Sequence, residues 1–236
     1  HYGATRALDG VSIAFAEGTS TAIMGASGSG KTTLLHLLAG IIAPDQGAVT
    51  YAHSEISRLS DADRSRLRRE QFGFVFQQGL LVPELTAAEN VALALMLNGM
   101  SKREALIPAG QWLAALGLGG MEARRIGELS GGQAQRVAIA RSQVRGARIV
   151  FADEPTAALD ARAESELFDG IRTLCAGRTV LLISHRFSSV RSADRIYVLH
   201  EGLIGYIGNE NKLQEIVYKD MDKARSKPFK DVTGGG

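Results

Sequence analysis

Lys31 stands near the end of an octet, Gly25 to Thr32, that fits G-x-x-x-x-G-K-[ST]. Gly25, Gly28 and Gly30 fall within eight residues, although glycine is the costliest residue to order on folding. Such a loop suits an anion. Glycines let the N–H groups of Gly25, Ala26, Ser27, Gly28, Ser29 and Gly30 turn inward around phosphate oxygens, and the following helix aims its positive end at the same point. Lys31 adds a point charge for the β- and γ-phosphates, and the Thr32 hydroxyl is a Mg²⁺ ligand with Thr33 beside it. This loop is expected to hold a nucleoside triphosphate.

A second acidic piece belongs with it. The apolar run RIVFADEP ends in Asp153 and Glu154, and strand ends at the carboxyl edge of a parallel sheet are where ligands sit. Asp153 is the expected Mg²⁺ partner, and Glu154 the expected general base for the attacking water. A third piece, LSGGQAQR at 129–136, presents Ser130, Gly131 and Gly132 as another exposed-backbone donor cluster leading into a helix. One chain already has its phosphate site at Lys31. The second cluster therefore fits the nucleotide of another copy, in a two-fold pairing that buries two nucleotides.

These pieces need an α/β frame. Apolar strands alternate with helices: LDGVSIAF and GTSTAIMG as strands joined at Glu17–Gly18, a helix over Thr33–Leu38, and a charged helix over Asp61–Gln71. FGFVFQ, RIVFAD, TVLLIS, RIYVLHEG and LIGYIG read as further strands. Between them lies a helical block from Pro83 to Arg145, with Thr86 and Glu89 as a capping box and a second helix around AGQWLAALGL. The expectation is a mostly parallel sheet covered on both faces, with 1–82 and 146–208 forming the core, 83–145 a helical subdomain and 209–236 a terminal helix and polar tail. A net charge of +2 among 236 residues gives no reason to expect a nucleic-acid partner. The single cysteine, Cys175, cannot close an internal disulfide and reads as a small apolar residue on a helix. No apolar run reaches the roughly 18 residues of a membrane span.

With these motifs in order, the chain resembles the nucleotide-binding subunits of ABC transporters over nearly its whole length. GASGSGKTT matches the Walker A element, FVFQ the Q-loop at Gln77, LSGGQ with Gln133 the family's own motif, and IVFADE the Walker B element. ALD matches the D-loop at Asp160 and ISHR the switch histidine at His185, while Tyr2 matches the aromatic that stacks on adenine. The resemblance implies a RecA-like phosphate-loop NTPase core with a small antiparallel β subdomain and an inserted helical subdomain. It implies ATP and Mg²⁺ as cofactors, with Gln77 reaching Mg²⁺ and the water, His185 contacting the γ-phosphate, and Asp160 bridging two copies. It further implies a second ATPase copy, identical or paralogous, and a transmembrane permease at the cytoplasmic face of the membrane.

The first two-thirds resembles the ATPases of lipoprotein-release and macrolide-export systems. TVLLISHRFSSVRSADRIYVLHEG is more like exporters whose membrane and ATPase domains share a chain. Two rival readings exist: a non-transport ABC-type ATPase of DNA repair or translation, and a kinase-like phosphoryl-transfer enzyme. The first calls for a long coiled coil or tandem cassettes, and the second leaves LSGGQ and His185 without a role.

Overall fold

The computed structural model describes residues 7–76, 80–155, 175, 177–184, 190 and 193–208. Their elements are β1 (Ser20–Met24), α1 (Lys31–Leu38), β2 (Thr50–Tyr51), β3 (Ser54–Glu55), α2 (Asp61–Gln71), β4 (Phe72–Val75), α3 (Ala87–Met96), α4 (Lys102–Ala115), α5 (Gly131–Gln143), β5 (Ile149–Asp153), β6 (Thr179–Ile183), β7 (Arg195–His200) and β8 (Leu203–Gly208). Six strands form one sheet in the order β4-β5-β6-β1-β7-β8. All neighbours are parallel except β7 and β8, a hairpin turned at Glu201–Gly202.

Alternation along the strands sorts side chains to two faces. Ile23, Phe151, Leu181 and Ile183 pack with Leu34 and Leu35 of α1 on one face. Val75, Val150, Ala152, Val180 and Leu182 lie on the other, under a helical layer that contributes Val91, Leu113, Val137 and Ile139. In the register Asp153 stands opposite Ile183, which stands opposite Ile23. The carboxyl ends of β5, β6 and β1 are thus level, and the loops that follow β5 and β1 emerge on one edge of the sheet.

The crossover from β4 to β5 carries α3, α4 and α5. Thr86 caps α3 through a capping box with Glu89, whose carboxylate also takes Lys102 Nζ at 2.6 Å. These partners, Lys102 foremost, hold the Glu89 carboxyl down at about 2. The loop before α3 is tied by the fully buried Asn90, which accepts from Val82 N–H and donates to the Val82, Leu85 and Thr86 carbonyls.

Helix α5 lies antiparallel along β4: Arg145 donates to the Phe72 carbonyl at one end, and Gln135 to the Phe76 carbonyl at the other. Their close approach requires Gly73, where a Cβ would stand 2.6 Å from the Ser142 carbonyl oxygen and 3.2 Å from Ala147 Cβ. Both are parts of the framework that cannot swing aside. Gly73→Ala is therefore expected to cost about 2 kcal/mol, measured as a fall in the urea midpoint at unchanged slope.

The structure departs from the expectation in several places. LDGVSIAF is not a strand: residues 7–16 have no ladder partner among the described residues. Asp9 N–H donates to the Gly202 carbonyl and the Ala16 carbonyl accepts from Thr19, while Leu8, Val11 and Phe15 pack onto the α1-side core. The small antiparallel sheet is instead the hairpin β2–β3. Helix α4 begins at Lys102, because Ser101 and Glu104 form a capping box and Pro108 is accommodated inside the helix. Cys175 is buried as expected, its thiol pushed up to about 11 by burial, but it sits in a turn. The helices expected in ARAESELFDGIRTL and beyond Gly208 lie outside the described residues. Among the described residues no helix is long and apolar enough to cross a membrane.

Candidate functional site

The loop from Gly25 to Gly30 joins the end of β1 to the start of α1, and the chain's path there is set by Gly30. Its φ of 101° is left-handed, and a Cβ would collide with the Ala7 carbonyl oxygen and touch Leu8. Lys31, the first residue of α1, is buried, 6% exposed, and folds back over the loop. Its Nζ donates to the Gly25 carbonyl at 2.9 Å and to the Ala26 carbonyl at 2.8 Å. Burial pushes the Lys31 ammonium below the ordinary lysine range, while the carboxylates of Glu154 and Asp153 pull the other way. Ser29 Oγ is buried in the same loop and has no partner among the described residues.

Thr32 leans from α1 across the end of β6, and its hydroxyl donates to Asp153 Oδ2 at 3.2 Å. This bond joins residues 121 apart in sequence and closes the mouth between β1 and β5. Burial lifts the Asp153 carboxyl above the usual carboxylate range. The neighbouring Glu154 charge adds to the lift, whereas the Thr32 hydrogen bond, His36 and Lys31 oppose it. Glu154 follows with φ 43°, a left-handed conformation that a non-glycine residue adopts at a cost of roughly 1–3 kcal/mol. Its N–H is held by the Ile183 carbonyl at 2.9 Å, so β6 fixes the turn that carries it.

Ser130 caps α5. Its Oγ accepts from Gln133 N–H and its own N–H donates to Gln133 Oε1, a closed capping box. Gly131 and Gly132 open the helix with no side chain over their amides. Because α5 runs antiparallel to β4, this N-terminus projects past the same sheet edge as the Lys31 loop. The two are not together, however: β4 and β1 are three strand spacings apart, about 14 Å. Among the described residues no hydrogen bond joins 130–133 to 25–33.

The structure thus brings Gly25–Thr33, Asp153 and Glu154 to one place and sets Ser130–Gln133 apart on the same edge. Tyr2, Gln77, Asp160 and His185 lie outside the described residues. Two polar side chains absent from the expected set attend the site's surroundings, Gln135 and Arg141 of α5, which bond the carbonyls of Phe76 and Leu80. A glutamine and an arginine embedded among the buried apolar residues of a helix were the available signal.

The ABC transporter family profile matches residues 8–157. The chain is 39% identical over 199 residues to the lipoprotein-releasing system ATP-binding protein LolD 2 of Rhodopseudomonas palustris, covering 84% of this chain and 86% of that one. It is 42% identical over 201 residues to the macrolide export ATP-binding/permease protein MacB of Azoarcus sp., covering 85% of this chain but 31% of the relative; it spans only about a third of the length of such relatives. Among solved structures, a dimeric ATP-binding cassette in a post-hydrolysis state with ADP and Pi superimposes with a TM-score of 0.78 at 36% identity, covering 85% of this chain and 89% of that one. The profile covers more than half of the chain and the LolD 2 relative is 39% identical over 84% of it, so the chain belongs to the ABC transporter family as one of its ATP-binding cassettes.

Proposed function

We propose that this chain is the ATP-hydrolysing motor subunit of an ABC transporter. Two copies, identical or paralogous, close head to tail around two Mg-ATP, and a transmembrane permease at the cytoplasmic face of the membrane converts that closure into movement of cargo. The carrying observation is the separation of two phosphate-suited loops on one sheet edge: the Lys31 loop is complete at β1, and Ser130 opens α5 three strands away. A single chain cannot bring both to one nucleotide. A two-fold related copy can.

In this reading the amides of Gly25–Gly30 and the Lys31 ammonium bind the β- and γ-phosphates, with Thr33 beside them and Tyr2 against the adenine. Lys31 exchanges the Gly25 and Ala26 carbonyls for phosphate oxygens. The residues present suit Mg²⁺: the Thr32 hydroxyl and the Asp153 carboxylate are hard oxygen donors already 3.2 Å apart, and Gln77 adds an amide oxygen. A Mg²⁺ held by these residues would neutralise charge on the phosphates. Glu154 accepts the proton of the attacking water, oriented by His185, and Ser130–Gln133 of the other copy cover the γ-phosphate, with Asp160 at the seam. Residues 83–145 form the helical subdomain that faces the permease. The likeness to lipoprotein-releasing and macrolide-export ATP-binding proteins supports this reading.

The direct test is phosphate release from purified chain with ATP and Mg²⁺ and no acceptor but water. Release is expected, falling to background with EDTA and returning with added Mg²⁺. Release that depends on an added acceptor would instead indicate a phosphoryl-transfer enzyme.

A further inference from the structure

Ser29 holds a hydroxyl that the phosphate loop does not use. The residue is 6% exposed, and its Oγ has no hydrogen-bond partner among the described residues. A buried hydroxyl in that condition is destabilising, because it has given up water and gained nothing in return. Its location narrows what it can do. A Cβ added to Gly25 would stand 2.6 Å from Ser29 Oγ, so the hydroxyl lies directly against the first residue of the loop.

The donors of the two neighbouring carbonyls are unequal. Lys31 Nζ serves both, at 2.9 Å for Gly25 and 2.8 Å for Ala26. The Ala26 carbonyl also accepts from Ser29 N–H at 3.2 Å. The Gly25 carbonyl accepts from Lys31 alone among the described residues. When Lys31 exchanges both carbonyls for phosphate oxygens, Gly25 is therefore the one left without a donor. The nearest unused donor is Ser29 Oγ, whose χ1 has three staggered positions and whose hydrogen turns freely.

We propose that the Ser29 hydroxyl is the replacement donor of this loop: as Lys31 turns to the phosphates, Ser29 Oγ turns to the Gly25 carbonyl. The arrival of the phosphates rests on the motor reading above; the pairing of Ser29 with Gly25 does not. Ser29 acts here as a positioning residue through its side chain, which touches no phosphate. Two unsatisfied groups, one hydroxyl and one carbonyl, then satisfy each other, and the loop keeps its shape around the triphosphate.

The first test needs no nucleotide. Ser29→Ala removes only the hydroxyl, and it is expected to raise the urea midpoint of the chain at unchanged slope, because an unpartnered polar group is gone. In Lys31→Met the Gly25 carbonyl has already lost its lysine. There the same substitution is expected to lower the midpoint. A change of sign between the two backgrounds is a coupling that a serine merely filling space does not produce.

The second test is calorimetric titration with Mg-ATP. Ser29→Ala is expected to bind about tenfold more weakly than wild type in spite of its higher stability. Ser29→Cys, which keeps a weak donor, is expected to fall between the two. Midpoint shifts of one sign in both backgrounds would overturn the inference. So would an affinity for Ser29→Ala within about twofold of wild type, which would show that Lys31 keeps the Gly25 carbonyl with its third N–H. Both results leave the motor reading in place. Wild-type chain that neither binds nor hydrolyses Mg-ATP would overturn the motor reading itself, while the stability cycle still decides the pairing of Ser29 with Gly25.

Discussion

Glu154→Gln is expected to abolish ATP turnover and leave a dimer locked on its nucleotide. The substitution exchanges a carboxylate for an amide of the same shape, so the left-handed turn at φ 43° and the bond from its N–H to the Ile183 carbonyl are retained. On the proposed reading what is lost is the acceptor for the water's proton, and a general base is worth about 10²–10⁴-fold in rate. Phosphate release should fall by at least about 100-fold on that account. Every phosphate contact in the proposed arrangement would remain: the Gly25–Gly30 amides, Lys31, and Ser130–Gln133 of the other copy, with Thr32 and Asp153 still bonded to each other. Binding without hydrolysis should then let the closed dimer accumulate.

Light scattering is the measurement, on wild type and variant with and without Mg-ATP. The expected result is a doubling of mass for the variant with Mg-ATP only. An ATP-bound variant that stays monomeric would show that the second copy is a paralogue. A variant with wild-type phosphate release would remove Glu154 from the chemistry.

The parts of this site legible in the sequence were those whose geometry is local. An octet of fixed spacing specifies the Lys31 loop because each N–H is placed by its own φ and ψ, and Thr86 with Glu89 announces α3 because a capping box spans three residues. The apolar runs at β5 and β6 were equally plain, since buried parallel strands need not alternate with polar residues. What sequence could not supply was strand order. Thr32 meets Asp153 because β6 inserts between β1 and β5, a fact of tertiary pairing across 121 residues.

Other features were hidden by local chemistry that breaks the usual rule. The β2–β3 hairpin turns at Ala52–His53, both left-handed at φ 46° and 66°, where Asn-Gly is the common choice. Pro108 conceals the first half of α4, because proline in a helix interior removes a donor that the tertiary packing here offsets. Val11, Ile13 and Phe15 alternate as a strand should, yet a strand is defined by its neighbour, and the described residues offer none. The tie from Gln135 to Phe76 spans 59 residues and has no motif at all.

Lys31→Met should separate folding from function at the same loop. Methionine matches the length and volume of the lysine stem, so the space over the Gly25 and Ala26 carbonyls stays filled. Those two hydrogen bonds are lost, but so is the cost of burying an ammonium. The two changes oppose one another, and the thermal midpoint of the nucleotide-free variant is expected within about 3 °C of wild type, a net change near 1 kcal/mol. Affinity for ATP has no such compensation. The proposed charge-assisted contact to two phosphates would disappear, and affinity should fall by at least about 100-fold, near 2.7 kcal/mol.

The pH dependence follows from the direction of the Lys31 shift. Its folded pKa lies below the ordinary value of 10.5, because burial disfavours the charged form. The unfolded chain therefore binds the proton more tightly. The resulting penalty is fully present below the folded pKa and fades as pH rises through the interval up to 10.5. Lys31→Met carries no such penalty, so the stability of wild type relative to the variant should improve over that alkaline interval. Denaturant midpoints of the two proteins at neutral and alkaline pH, with ATP titrations beside them, measure both halves. Equal ATP affinity in the two would place the triphosphate elsewhere. A variant that unfolds at neutral pH would show instead that the lysine's two carbonyl bonds hold the loop together.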